Sequence, residues 1–528
     1  METWFIIFLS LCISALIKYF LNFLSPSKPK PNLPPGPLAL PIIKNLLLLR
    51  RSFSELGPIL RKLHAKHGPL ITLRFGSRTS IFAASHSLAH EALILNGAIF
   101  ADRPRALPTS RILNGNQRNI SSAAYGPTWR CLRRNLTSEI LHPSRIKSFS
   151  HARSRVLHSL TTRLKSQSQS GQPICVLDHF RHAMFSLLSS MCFGDELDDE
   201  KIGEIQMVQQ RVLLAFTEFR ALNFWPKMGK ILFPNRWKRL MHLRKSREDI
   251  LGPLIRTRMK ARHQKHSKKN PKDDQREDIL CYVGTLMDLE LPEERRKLEE
   301  GEMVSLCSEF LTAGVDTTST ALQWIMANVV KYPHIQEKLF EEISGVFGES
   351  GEGEEEVREE DLHKMPYLKA VILEGLRRHP PTHFVLPHAV TEDVELGGYF
   401  VPKKATINFM VADMGRDPDV WEDPMAFKPE RFLLNGGDDG GNGGELFDVT
   451  GSREIKMMPF GAGRRMCPGY GLAMLHLEYF VANLVWHFEW EAVDGGEVDL
   501  SEKLEFTTLM KNPLGAHLTP RAKQGYLL

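Results

Sequence analysis

Cys467 has the densest chemistry around it. It sits in Phe460-Gly461-Ala462-Gly463-Arg464-Arg465-Met466-Cys467-Pro468-Gly469, a glycine-rich turn with two arginines just ahead of the cysteine. Leu472, Leu475, Tyr479, Ala482 and Trp486 follow at helical spacing. The cysteine therefore stands at a helix start, where the positive end of the dipole favours thiolate over thiol. A thiolate is a strong ligand for haem iron, and its electron donation favours O–O cleavage. Glycines let the backbone turn tightly and approach a flat ligand closely. Arg465 is placed to pair with an acid group such as a haem propionate. The competing reading is a buried structural cysteine in a glycine-rich turn.

Two further constellations could act beside it. Leu311-Thr312-Ala313-Gly314-Val315-Asp316-Thr317-Thr318 lies in a long apolar helical pattern in which Leu306, Phe310, Ala313 and Thr317 share a face. A glycine in mid-helix costs about 1 kcal/mol relative to alanine. Neighbouring hydroxyls can bond back to helix carbonyls and bend the helix. A bend at Ala313-Gly314 would open room beside a cofactor, and Asp316 and Thr317 could then carry protons into a dry site. The alternative is a polar patch on a helix that only packs. Glu374 and Arg377 are three apart, on one helix face, and can pair. On a surface such a pair is worth little, but the flank Leu368 to Leu376 is largely apolar, as a buried pair would require.

These groups need a large scaffold. The chain has 528 residues, 42% hydrophobic and 25% charged, with a formal net charge of +6. That is an ordinary globular composition, and too mild a basic excess to imply nucleic-acid binding. No zinc-type spacing or phosphate-binding loop is present. Seven scattered cysteines, an odd number, argue against a disulfide framework. Helical periodicity dominates beyond residue 38. Short strand-like patches stand at Leu70–Phe75, Ile81–Ala84 and Val401 with Ala405–Phe409. The fold class expected is mainly α with small β-sheets. Trp4 to Leu24 is long and apolar enough to cross a bilayer. Glu2 ahead of it and no small-residue cleavage site favour an anchor over a cleaved signal peptide. Lys28 and Lys30 place the rest of the chain on the cytoplasmic side. The expected organisation is an anchor over 1–24, a stiff proline-rich linker over 25–37, and a single catalytic domain over 38–528. Phe216, Phe219, Phe224 and Trp225 are a candidate second membrane contact.

Taken together, the motifs resemble the cytochrome P450 family, in its expected order and over most of the chain. Phe460, Gly463, Arg465, Cys467 and Gly469 fill the haem-loop pattern Phe-x-x-Gly-x-Arg-x-Cys-x-Gly. The resemblance implies a P450 fold behind a transmembrane helix, haem b, and Cys467 as the axial thiolate. Ala313 to Thr318 is similar to the family's distal-helix motif. Its acid and first threonine manage oxygen protonation, a role that falls here on Asp316 and Thr317. Glu374 and Arg377 match Glu-x-x-Arg, and Arg431 in Phe427-Lys428-Pro429-Glu430-Arg431-Phe432 matches the arginine that joins them, a structural trio. Trp129 and Arg133 match Trp-x-x-x-Arg and would contact haem propionates. His388 sits where relatives place a propionate-binding residue, although a lone histidine is more often a plain polar contact. The proline-rich stretch resembles the hinge of microsomal P450s, and the overall style is that of a plant A-type microsomal P450.

The expected activity is insertion of one atom of O2 into a lipophilic small molecule in the endoplasmic reticulum membrane. Electrons would come from NADPH through NADPH-cytochrome P450 reductase, since no flavin or nicotinamide fingerprint is found. Arg130, Arg133, Arg134, Lys456 and Arg464 are candidates for a positive reductase-facing surface, or for an ordinary solvated one. Two rivals remain. A P450-fold isomerase or dehydratase would use no O2, but such relatives often lack the acid–threonine pair. A non-catalytic haem carrier would need neither that pair nor a reductase.

Overall fold

The fold is organised by one long helix. In the computed structural model, residues 32–37, 53–75, 78–219, 222–223, 226–267, 280–350, 356–433 and 447–521 are described, together with Ser10 and Ser14. The helices that matter here are α1 (Phe53–His67), α2 (Pro127–Glu139), α3 (Ser150–Ser168), α4 (Val176–Phe193), α5 (Asp199–Glu218), α6 (Pro234–Ser267), α7 (Glu300–Lys331), α8 (Pro366–Arg378) and α9 (Tyr470–His487). At 1.5 Å per residue, the 32 residues of α7 span about 48 Å. A capping box between Glu299 and Glu302 starts it. From Leu306 onward nearly every side chain is buried, because α4, α6, α8 and α9 all pack against it. The core cluster joins residues of α2, α3, α4, α7, α8 and α9 into one continuous body.

The sheets are small, as expected. β1 (Leu70–Phe75) and β2 (Arg78–Ala83) are antiparallel, and β2 runs parallel to β4 (Thr406–Phe409), which pairs with β3 (His388–Ala389). β1 coincides with the strand read from Leu70–Phe75. The end of the proline-rich linker is fixed to this sheet at Thr72 and to the separate hairpin of Val394–Leu396 and Tyr399–Val401 at Phe400. Thr72 N donates to Pro35 O at 2.8 Å, and Phe400 N donates to Asn32 O at 2.8 Å. Gly36 lies so close that a Cβ there would stand 2.1 Å from Thr72 O, which only glycine tolerates.

The apolar run 1–24 lies outside the described residues except for Ser10 and Ser14. Among the described residues, no helix is long and apolar enough to cross a membrane. Phe219 does not face outward as a second membrane contact. It is buried with Ala215, Leu222 and Leu240.

Two histidines are packed as neutral core groups. His379 stacks on Trp324 of α7 with ring centroids 3.9 Å apart, and His476 is 2% exposed on α9. Burial pushes each down to about 3, in His379 against the opposing pull of Glu502. The folded state therefore refuses protons that the unfolded chain accepts below its ordinary histidine value. Their contribution is intact above about pH 6.5 and is lost as pH falls below it, at roughly 1.4 kcal/mol per histidine per pH unit. From pH 6.5 to 5 the pair should cost on the order of 3 kcal/mol, and His388, which burial also pushes down to about 3, adds to that loss. Urea midpoints of the haem-loaded protein should fall over that window, before most carboxylates titrate. A flat midpoint there would refute the assignment.

Candidate active site

The loop before α9 is built for close approach. Gly461 and Gly463 have φ of 68° and 69°, the left-handed region that favours glycine. A Cβ on Gly463 would stand 2.0 Å from Leu93 O, so this residue lets the loop lie against the chain at Leu93. Cys467 N donates to Phe460 O at 2.9 Å, closing the loop, and Phe460 packs against Tyr470 with centroids 6.3 Å apart. Gly469 is the N-cap of α9, and a Cβ there would approach Cys467 Sγ to 4.0 Å. Its lack of a side chain leaves the sulfur room on that flank.

The helix start does not by itself make Cys467 a thiolate. Burial pushes its thiol up from the ordinary value, against a Gly469 backbone hydrogen bond and the charge of Arg133. Desolvation outweighs both, and a bound metal would hold the sulfur deprotonated.

Arg133 and Arg465 belong to one positive cluster. Arg465 donates from Nε to Ala101 O at 2.6 Å, and from its terminal nitrogens to Ala123 O at 2.7 Å and Ile120 O at 3.2 Å. Its guanidinium lies 4.2 Å over the ring of Trp129, and burial lowers it to about 10. Arg133 donates to Met466 O at 2.7 Å, next to the cysteine. Arg103, which sequence reasoning missed, completes the group. It donates to Ser121 O at 2.8 Å and to Leu386 O and Pro387 O at 2.8 and 2.9 Å. Burial, then the charge of Arg465, lowers it to about 9. Nothing local in the run Asp102-Arg103-Pro104 links it to the cysteine loop.

The cluster fits a dianionic cofactor. Arg103 and Arg465 face Asp102 and Glu309, with Arg133 repelling both guanidiniums from beside Cys467, and Glu309 is itself pushed up by burial toward its neutral form. Positive charge is in excess by at least one. The indole Nε1 of Trp129 is buried with no hydrogen-bond partner among the described residues, although such a donor is costly to strand. A pair of carboxylates at this spot would satisfy both.

His388 is anchored to the backbone by one ring nitrogen. Its Nδ1 lies 2.7 Å from Phe100 O and must carry the proton that this bond uses. Burial, then the charge of Arg103, push the ring down to about 3.

The opposite chemistry lies on α7. Ala313 is exposed and Glu309, Thr312, Gly314 and Thr317 are half-buried, on a helix whose other central residues are buried. Glu309, Ala313 and Thr317 are four apart, so one face of α7 borders an internal cavity. The helix continues unbroken through Gly314. That glycine answers to packing: a Cβ there would stand 2.5 Å from Leu188 Cδ1 of α4. The room comes from the small side chain of Ala313. Thr317 Oγ1 donates to Ala313 O at 2.6 Å. Asp316 is 7% exposed and turned toward α4, where Arg181 Nε lies 3.8 Å away. Burial pushes Asp316 up, and Arg181 opposes it. Arg181 was also missed, since nothing local links it to Asp316.

Glu374, Arg377 and Arg431 are brought together. Arg377 grips Glu374 with Nε to Oε2 at 2.6 Å and a terminal nitrogen to Oε1 at 2.8 Å, and both side chains are 0% exposed. Arg431 Nε reaches Oε1 at 3.3 Å, and Lys428 N donates to the same oxygen at 2.8 Å. Arg377 spends its other donors on Gly415 O, Pro424 O and Ala426 O at 2.6, 2.8 and 3.2 Å. The trio thus ties α8 to the chain over 415–431.

Of the surface cations, Arg130, Arg134 and Arg464 are exposed, whereas Arg133 turns inward.

The family model described as cytochrome P450 matches residues 34–519. Cytochrome P450 89A9 of Arabidopsis thaliana is 51% identical, over 98% of this chain and 99% of its own length. Salviol synthase of Salvia pomifera is 33% identical over 94% of both. Flavonoid 3'-monooxygenase of Arabidopsis thaliana is 30% identical over 98% of this chain and 97% of its own. A zebra fish cytochrome P450 solved with abiraterone superposes with a TM-score of 0.68 over 88% of this chain and 99% of that one, at 22% identity.

Proposed function

This chain belongs to the cytochrome P450 family, and from that premise we propose that it oxidises a lipophilic small molecule with electrons drawn from NADPH by a separate reductase. It is a haem-thiolate monooxygenase. Bound haem supplies the chemistry of O2 reduction and of inserting one oxygen atom into substrate.

The protein's own groups divide that work. Cys467 Sγ would be the thiolate that holds the haem iron, with Gly469 leaving it space and Phe460 O holding its backbone. Trp129 Nε1, Arg133, Arg465 and Arg103 would hold the haem propionates, beside His388. Support for this comes from the unpartnered indole and the excess of positive charge. Thr317 Oγ1 accepts and passes protons at the cavity face of α7. Asp316 supplies them from behind, with Arg181 setting how readily it gives them up. Arg130, Arg134 and Arg464 form part of a reductase-facing surface, supported by their exposure. The apolar run 1–24 anchors the chain in the endoplasmic reticulum with the catalytic domain in the cytosol. Lys28 and Lys30 support that orientation.

The observation that carries the reading is the acid–threonine pair on α7, with Thr317 facing the cavity and Asp316 buried behind it. An isomerase or a haem carrier has no use for a proton relay. Thr317→Ala removes one small hydroxyl, so fold and haem spectrum should survive. In membranes holding the full chain and a plant reductase, NADPH oxidation should continue while product per NADPH falls severalfold and hydrogen peroxide rises. Asp316→Asn should instead slow the whole cycle. Unchanged coupling in Thr317→Ala would assign the relay to other groups and reduce the motif to packing.

A further inference from the structure

The stretch from His379 to Pro387 leaves the end of α8 and passes the cysteine loop, where a Cβ on Gly461 would stand 3.7 Å from Val385 Cγ1. Its far end is pinned at the positive cluster, because Arg103 holds Leu386 O and Pro387 O. Its middle is loosely tied. Ala412 N to His383 O and Val385 N to Phe409 O are both 3.4 Å, longer than the usual backbone bond. Thr382, His383, Phe384 and Val385 are only half-buried. Where this wall lies is therefore decided largely at its near end.

That near end is gathered on one carboxylate. Glu502 stands on the strand Glu502–Leu504, with His379 Nδ1 3.0 Å from its Oε1 and His383 Nε2 3.0 Å from its Oε2. Arg416 donates to both oxygens and also holds Arg378 O, by Nε at 3.0 Å and by a terminal nitrogen at 2.7 Å. The partner strand of the same hairpin gives Thr508 N to Pro381 O at 2.8 Å, and Trp324 of α7 fixes the Thr508 carbonyl at 2.6 Å. His379, Pro381 and His383 are thus all set from one hairpin, two of them by Glu502. The hydrogen bonds of the histidines and the charge of Arg416 hold the Glu502 carboxyl below the usual carboxylate range, against its burial.

We infer that Glu502 is a positioning residue for ligand choice: by holding His379 and His383 it keeps the 382–386 wall close against the haem site, where the wall packs on the bulk of a bound ligand. This rests on the haem reading of the Cys467 loop. Glu502 acts through the wall and takes no part in the oxygen chemistry.

The test is equilibrium binding of two iron-ligating azoles, imidazole and 4-phenylimidazole, to the haem-loaded full chain, read by the shift of the haem absorption band. Imidazole needs the iron and little else, whereas the phenyl ring needs the wall. Glu502→Gln turns one acceptor oxygen into a donor, so whichever way the amide lies one histidine loses its partner. The preference for 4-phenylimidazole over imidazole should fall about fivefold or more, with imidazole affinity within about twofold of the wild type. A general loss of stability would lower the amount of haem-loaded protein and leave that ratio alone. His383→Ala should move the ratio the same way, and it carries the test if Glu502→Gln loads no haem. An unchanged or raised ratio in a haem-loaded variant would overturn the inference. So would an equal loss of both azoles, which would place the effect on the haem and not on the wall. A wild type with no band shift for either azole would instead fail the haem reading itself.

Discussion

Cys467→Ser should leave a folded protein with no carbon-monoxide difference band of thiolate-ligated haem and with turnover below detection. The substitution exchanges one atom, and the loop's shape does not depend on the sulfur. Cys467 N still donates to Phe460 O, and the glycines at 461 and 463 keep their left-handed turns. The electronic change is complete. A serine hydroxyl is far harder to deprotonate than a thiol, and the site already resists a buried anion, since burial pushes even the cysteine up. Without thiolate electron donation, O–O cleavage loses its driving push. Some haem should remain if Trp129, Arg103, Arg133 and Arg465 hold its acid groups as proposed. A variant that retained the thiolate band would remove Cys467 from the ligand role.

Glu374→Ala should yield little haem-loaded protein. The carboxylate is fully buried between Arg377 and Arg431 and also accepts from Lys428 N. Deleting it strands a guanidinium that is 0% exposed on its side chain. Breaking a buried pair from one side costs about 3–5 kcal/mol, against a typical total of about 5–15 kcal/mol. Arg377 also holds Gly415 O, Pro424 O and Ala426 O, so slackness there would pass directly into the chain over 415–431. The variant should be recovered in low amount, with a lower melting temperature and substoichiometric haem. If Glu374→Ala were instead to fold, fill with haem and only turn over slowly, the trio would belong to the chemistry and not to the frame.

What the sequence made legible follows physical range. The Cys467 loop, the Glu374–Arg377 pair and the acid–threonine pair are local strings, and each side chain's neighbours lie within a helical turn or a tight loop. Leu70–Phe75 was readable as a strand for the same reason. Arg103, Arg181 and Glu309 were not singled out, because their partners come from distant segments. Arg181 meets Asp316 only once α4 packs on α7, and Glu309 meets Ile120 and Ser121 only once the loop before α2 closes over α7. Gly314 misled for a related reason. A mid-helix glycine looks like a bend, but here it makes room for Leu188 of α4. His388 was assigned by position alone, and its bond to Phe100 O depends on β3 lying beside that segment. The thiol of Cys467 shows the limit of a dipole argument, since burial outweighs the helix start.

The central claim is insertion of one atom of O2 into a bound organic molecule. The most direct measurement uses isotopically labelled O2 with the full chain, a plant reductase and NADPH. The organic partner is a ligand first chosen by its spin-state shift. The account predicts NADPH-dependent product carrying one labelled oxygen, and no product in anaerobic samples. Product formed without O2, or oxygenated product whose new oxygen comes from water, would contradict it.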